Sequence, residues 1–145
     1  MPELPEVETV KNEISPYIID RRINGVTLIW EGIVKEPSAR EFCSRLVGQK
    51  ITSLTRRGKY LTAGLSSDGF LIFHLKMTGS LLIGQDSSKP PKYTRAIIHL
   101  EKDTNIFFRD PRKFGILKLV KDKNTIIGKL GPEPLETDFT PQVLA

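Results

Sequence analysis

Between residues 51 and 120 the chain is a succession of short apolar segments, each closed by turn-forming residues and none long enough for an ordinary helix. Segments at 51–55, 59–65, 70–75, 80–83, 95–100, 105–108 and 116–120 are rich in Ile, Leu and Phe, residues that suit a pleated, half-buried surface. Gly58, Ser66-Ser67-Asp68-Gly69, the Pro-containing stretch 86–91, Lys102-Asp103 and Asp110-Pro111 punctuate them. Upstream, Val26, Leu28 and Trp30 alternate like one further half-buried strand. Seven or eight strands at this spacing predict a mainly β fold, a two-sheet antiparallel β-sandwich. Two helices are expected to flank it. One spans about 5–15, where Val7, Val10, Ile14, Tyr17 and Ile18 recur at helical spacing and Pro16 ends or kinks the last turn. The other spans 38–47, with Phe42, Leu46 and Val47 inward and Gly48 closing it.

Charge narrows the possible partners. The 145 residues carry a net charge of +5 and a pI of about 9.4, unevenly spread. Residues 1–41 hold eight acids and five bases, residues 42–129 hold seventeen bases and six acids, and residues 130–145 hold three acids and no base. A basic centre between acidic ends predicts one cationic face that attracts phosphate backbones. No apolar run is long enough to span a bilayer, and no charged-then-apolar leader opens the chain. A single cysteine, Cys43, excludes an internal disulfide and any zinc site built from several thiolates. It fits a reducing cytoplasm, and its place in the second helix reads as packing.

The first residues, Met1-Pro2-Glu3-Leu4-Pro5-Glu6-Val7-Glu8, hold the strongest chemical signal. Removal of Met1 leaves Pro2 as a free secondary amine. An α-amino group titrates at about 7.7–8.0, so it is partly unprotonated at neutral pH and able to attack an electrophilic carbon. Its addition to a sugar aldehyde carbon gives an iminium, an electron sink that makes neighbouring C–H and C–O bonds breakable. Glu3, adjacent, is placed to move protons during ring opening. The bare alternative is a surface turn with Pro5 in the first turn of a helix.

Three further segments stand out. In Arg56-Arg57-Gly58-Lys59-Tyr60-Leu61 a glycine and three cations precede a strand, a cluster suited to phosphates or simply to solvent. His74-Leu75-Lys76-Met77-Thr78-Gly79 reads as a strand running into a turn. In Asp110-Pro111-Arg112-Lys113-Phe114-Gly115 a turn precedes a strand, and Arg112 and Phe114 share a parity.

Together with Pro2-Glu3-Leu4-Pro5-Glu6-Val7-Glu8-Thr9, these segments resemble the formamidopyrimidine-DNA glycosylases, bacterial repair enzymes for oxidised purines. The resemblance implies a DNA glycosylase with AP lyase activity, acting on formamidopyrimidines and 8-oxoguanine through a Schiff base on Pro2. It implies acid/base work by Glu3 and assistance to elimination and phosphate binding by Lys59. His74 is assigned to the DNA-facing site. By the same resemblance Met77, Arg112 and Phe114 are expected to fill the space left by a flipped nucleotide, with Arg112 pairing with the orphaned base and Phe114 wedging between base pairs. Two positions depart from the pattern: Lys76 stands where some members have glycine, and Tyr93 where many have a DNA-contacting histidine. His99 reads as structural.

The resemblance covers essentially all 145 residues, the N-terminal half of the family's length, with the catalytic domain expected at 1–130. Residues 131–145, beginning Gly131-Pro132-Glu133-Pro134-Leu135, are expected to form a linker and the start of a truncated helix–two-turn–helix domain. The family's structural zinc would bind a later finger, so no cofactor or metal site is expected in this chain. The implied partner is double-stranded DNA with oxidised bases or abasic sites, met by a monomer in the bacterial cytoplasm near the nucleoid, with no membrane. Weak binding and low or absent activity are expected of these residues alone. An endonuclease VIII-like enzyme for oxidised pyrimidines is the near alternative, although Leu4 favours the purine group. A non-catalytic damaged-DNA-binding module is the alternative of another class.

Overall fold

Burial of one apolar stripe carries the first helix past the residue that should end it. In the computed structural model, which describes residues 4–36, 38–67, 69–76, 78–113 and 115–121, α1 spans Leu4–Ile18 with Pro16 inside it. Proline deprives the last turn of one backbone bond. Val7 and Ile18 are nevertheless fully buried and Ile14 nearly so. Each such side chain contributes about 1.5–3 kcal/mol, enough to hold the turn that Pro16 weakens. The second helix, α2, spans Ala39–Leu46. Ser38 caps it by accepting the Glu41 N–H at 3.2 Å, Phe42 and Leu46 are buried, and Gly48 follows at φ +93°, a conformation open to glycine.

Nine strands are seen among the described residues: β1 (Ile23–Leu28), β2 (Val34–Glu36), β3 (Ile51–Arg57), β4 (Tyr60–Leu65), β5 (Phe70–His74), β6 (Ser80–Gly84), β7 (Thr94–Leu100), β8 (Thr104–Arg109) and β9 (Ile116–Val120). They form a four-stranded sheet in the order β1-β7-β8-β6 and a five-stranded sheet in the order β2-β9-β5-β4-β3. Alternating burial packs the two sheets face to face. Leu61, Ala63, Leu71, Phe73, Leu117 and Leu119 from one sheet meet Ala96, Ile98, Ile106 and Phe108 from the other. The rings of Phe73 and Phe108 lie 6.5 Å apart across this layer. The expected two-sheet sandwich with flanking helices is thus the observed architecture.

Three details correct the sequence reading. The sandwich is not wholly antiparallel, because β2 pairs parallel with β9. The chain leaves β1, crosses by the 3-10 turn Glu31–Ile33, and meets the edge of the second sheet running in the same direction as β9. Trp30 is not in a strand, since the N–H groups of Ile29 and Trp30 both donate to the Arg95 carbonyl and the chain turns there. Lys59 does not start a strand either. It sits with Gly58 in the two-residue turn between Arg57 and Tyr60, which are paired, and Gly58 takes φ +60°. No described helix is long and apolar enough to cross a membrane. The linker and domain start expected at 131–145 lie outside the described residues.

Candidate DNA-binding and catalytic site

The four motif segments, far apart in sequence, are tied into one run of contacts. It begins on α1, where Glu8 accepts Arg56 Nε at 2.9 Å and pairs with Lys11 at 3.0 Å. These two cations hold the Glu8 carboxyl below its usual range, overcoming the opposing effect of burial, which is the largest single influence. Arg56 also donates through Nη1 to the Gly58 carbonyl at 3.1 Å, fixing the turn that carries Lys59. The Lys59 carbonyl in turn accepts the Leu75 N–H at 3.4 Å, which joins that turn to the segment following β5. Pro2 and Glu3 lie outside the described residues, but α1 begins at Leu4, so the chain enters its helix directly behind them. A helix N-terminus favours anions there.

His74 ends β5 on the sheet face that points away from the sandwich core, opposite Tyr60 in the register of β4. The two rings stack, with centroids 3.9 Å apart and planes 13° from parallel. The imidazole Nδ1 is buried without a hydrogen-bond partner among the described residues. Burial first, then the positive charges of Lys76, Lys59 and Lys118, push its pKa down to about 4. Lys118, from the neighbouring β9, has no place in the sequence reading, though its parity with Ile116 and Val120 puts it on this face. Such a neutral imidazole amid three ammonium groups is poised for an anion that would offset their repulsion.

That arrangement has a measurable consequence. A histidine that titrates at about 6.5 when unfolded and at about 4 when folded makes the unfolded chain bind the extra proton between those values. Stability is therefore full above pH 6.5 and falls as pH drops toward 4, by up to about 3 kcal/mol. Urea denaturation at pH 7 and pH 4.5 measures the loss, and His74→Gln is expected to remove most of the difference. An unchanged difference in that variant would place its origin elsewhere.

The third and fourth segments meet at Asp110, which is fully buried. Its carboxylate accepts the Thr78 hydroxyl and the Arg112 N–H (3.1 Å) on Oδ1, and the Gly115 N–H (2.5 Å) on Oδ2. Its backbone N–H donates to the Tyr93 carbonyl at 3.0 Å, and its carbonyl accepts Arg95 Nε at 2.8 Å. The sequence marks Asp110 only as a turn former. The available signal was its spacing to Arg112 and Gly115, but only the fold shows that Thr78 reaches it.

Of the expected site residues, Lys59 and His74 share one cationic patch. Arg112 is exposed, with its amide on Asp110. Tyr93 is 42% exposed at φ +68°, with Lys92 Nζ 5.0 Å from its ring centre and the Arg95 guanidinium 5.9 Å away. Met77 and Phe114 lie outside the described residues. His99 is held at both ring nitrogens, by Asn105 at 2.8 Å and Thr27 at 2.7 Å, and so is part of the sheet. Cys43 is half-buried against the core, and burial together with the charge of Glu31 raises its thiol pKa. Among the described residues no three His, Cys, Asp or Glu side chains group as metal ligands.

Residues 1–117 match the family model described as the formamidopyrimidine-DNA glycosylase N-terminal domain. The chain is 43% identical over 144 residues to the formamidopyrimidine-DNA glycosylase of Carboxydothermus hydrogenoformans, covering 99% of this chain and 52% of that protein. It is 39% identical over 144 residues to that of Desulfitobacterium hafniense, covering 97% and 52%. Among solved structures it resembles the Lactococcus lactis FPG (MutM) complex with FAPY-dG-containing DNA, with a TM-score of 0.79, 29% identity, and coverage of 88% of this chain and 48% of that one. It is similar also to MutM bound to DNA containing carbocyclic 8-oxo-G, with a TM-score of 0.81, 29% identity, and coverage of 90% and 49%. The chain spans about half the length of the curated relatives it matches.

Proposed function

The chain belongs to the formamidopyrimidine-DNA glycosylase N-terminal domain family, and from that premise we propose that it carries the catalytic half of a base-excision repair enzyme for oxidised purines. The observation that carries the reading is the continuous set of contacts from Glu8 through Arg56, Gly58 and Lys59 to Leu75, together with the carboxylate that joins Thr78 to Arg112. Four sequence motifs with no local reason to coexist are thereby linked through space.

In this proposal the Pro2 nitrogen donates its lone pair to C1′ of a flipped nucleotide. The C1′–N bond to the base breaks, its electrons leave with the base, and Glu3 supplies and recovers protons at the sugar ring as it opens. The resulting iminium draws electrons from C2′ when that carbon loses a proton, so the 3′ phosphate leaves, and a second elimination releases the 5′ phosphate. Lys59 assists these eliminations. The cations around His74 hold the adjoining phosphates, and Met77, Arg112 and Phe114 occupy the vacated stack. Tyr93, between two cations, offers a ring and a hydroxyl where a histidine is common. Double-stranded DNA with oxidised purines or abasic sites is the partner. The structural zinc that the resemblance implies would lie outside this chain, and no step here uses it.

Borohydride trapping tests the reading. An abasic-site duplex mixed with the processed chain under reductant should yield a covalent adduct larger than the DNA by the mass of that chain, which is 16.4 kDa before Met1 is removed. Base release from an 8-oxoguanine duplex should be slow, because the chain spans only about half of its relatives. Binding without any adduct would leave a non-catalytic damaged-DNA module. Faster release from oxidised pyrimidines than from oxidised purines would favour the endonuclease VIII-like reading over the one that Leu4 supports.

A further inference from the structure

One aspartate ties three turns together. Besides the Thr78, Arg112 and Gly115 donors on its oxygens, Asp110 is bound through its backbone to Tyr93, Arg95 and Lys113. Arg95 adds a bond from Nη2 to the Pro111 carbonyl at 3.3 Å. A turn begun by aspartate needs only the bond to the amide two residues on. It needs neither full burial of the carboxylate nor a hydroxyl from a turn 32 residues away. Burial of a carboxylate is tolerable here because three donors meet it.

A second observation points the same way. Each of the three turns contains a non-glycine residue at positive φ: Lys76 at 54°, Tyr93 at 68° and Lys113 at 59°. Such conformations are costly and persist only where the surroundings fix them. Gly115 serves the same centre by close approach. A Cβ there would lie 2.5 Å from the Phe108 ring and 3.2 Å from Asp110 Oδ2, so glycine is what lets the amide reach the carboxylate.

We propose that Asp110 is a positioning residue that locks the 76–79 turn and the 110–115 turn into one unit, so that the two enter damaged DNA together. The inference rests on the DNA reading above and adds to it a mechanical link. Thr78 follows Met77 in the chain, and Arg112 precedes Phe114 by two residues. Because Thr78 and Arg112 share Oδ1, a displacement of either turn is felt by the other through a single oxygen atom.

The test uses Thr78→Val, Thr78→Ser, Asp110→Asn and the Thr78→Val/Asp110→Asn double variant in the 145-residue chain. Amide resonances of Arg112 and Gly115 report the link without DNA. The ratio of affinities for a tetrahydrofuran-site duplex and an undamaged duplex reports its use. Thr78→Val is expected to move both amide resonances and to lower the ratio about 3- to 10-fold. Thr78→Ser, which keeps the hydroxyl, should restore both readouts, and the double variant should discriminate no worse than Asp110→Asn alone. Amides untouched by Thr78→Val, or losses that multiply in the double variant, would overturn the proposal. So would lower melting temperatures with an unchanged ratio, which is what a purely structural aspartate gives. If the parent chain shows no preference for the damaged duplex while the amides still respond to Thr78→Val, the DNA reading falls and the coupling of the turns is upheld.

Discussion

A chain that retains Met1 should form no borohydride-trapped adduct with an abasic-site duplex, while the same chain without Met1 should form one. The difference lies in a single bond. With Met1 in place the Pro2 nitrogen is a tertiary amide whose lone pair is delocalised into a carbonyl, and it neither adds to an aldehyde nor forms an iminium. Once Met1 is removed, the nitrogen is an amine that titrates at about 7.7–8.0, so a fraction of it is nucleophilic at neutral pH. Loss of the nucleophile is expected to reduce trapping by at least about 10³-fold. Intact mass distinguishes the two forms, and filter binding shows whether both still hold DNA. Equal binding with trapping only in the processed form assigns the chemistry to Pro2. Equal trapping in both would move the nucleophile to a lysine, with Lys59 the first candidate. The adduct rate of the processed chain should also rise with pH through the amine's titration range, whereas a lysine of ordinary basicity would require more alkaline solution.

The architecture was readable because a sandwich writes itself locally. Alternation along β4, β5 and β9 puts Leu61, Phe73 and Leu117 on one face and Tyr60, His74 and Ile116 on the other, and turn residues mark the ends. What escaped were features fixed by distant partners. Three residues at 34–36 carry too little pattern to announce a strand, and they become one only because β9 offers its edge. Pro16 signals a helix end, yet burial of Ile14 and Ile18 against the sheet outweighs it. The site divides in the same manner. Lys59, His74, Tyr93 and Arg112 are candidates that the motif segments offer through their resemblance to the family. Asp110, Thr78, Tyr60 and Lys118 are not, because their parts depend on interactions with residues 14 to 44 positions away, such as Tyr60 with His74 and Asp110 with Thr78.

Phe108→Ala is the substitution expected to cost the fold most. The ring is 2% exposed, lies between the sheets, and faces Phe73 at 6.5 Å. Its backbone is paired with Leu81 on one side and Ala96 on the other, so the sheet cannot close over the space a truncated side chain leaves. A buried Phe→Ala change costs about 3–5 kcal/mol, a large share of the roughly 5–15 kcal/mol that holds a domain of this size together. Phe70→Ala is the control: Phe70 is only partly buried and packs beside Ile72 and Val120 on the outer face of the second sheet, where the gap opens toward solvent. Its cost should be less than half as large. Urea denaturation of both variants at pH 7 measures the difference. The consequence for the site follows from Gly115, whose Cα hydrogen points toward the Phe108 ring at a distance too short for a methyl group. Removal of the ring takes away the floor beneath the amide that Asp110 Oδ2 accepts. The remaining folded molecules of Phe108→Ala should therefore show a displaced Gly115 amide resonance, whereas those of Phe70→Ala should not. Equal destabilisation by the two variants, with Gly115 undisturbed in both, would mean that the inter-sheet layer does not support the turn at 110–115.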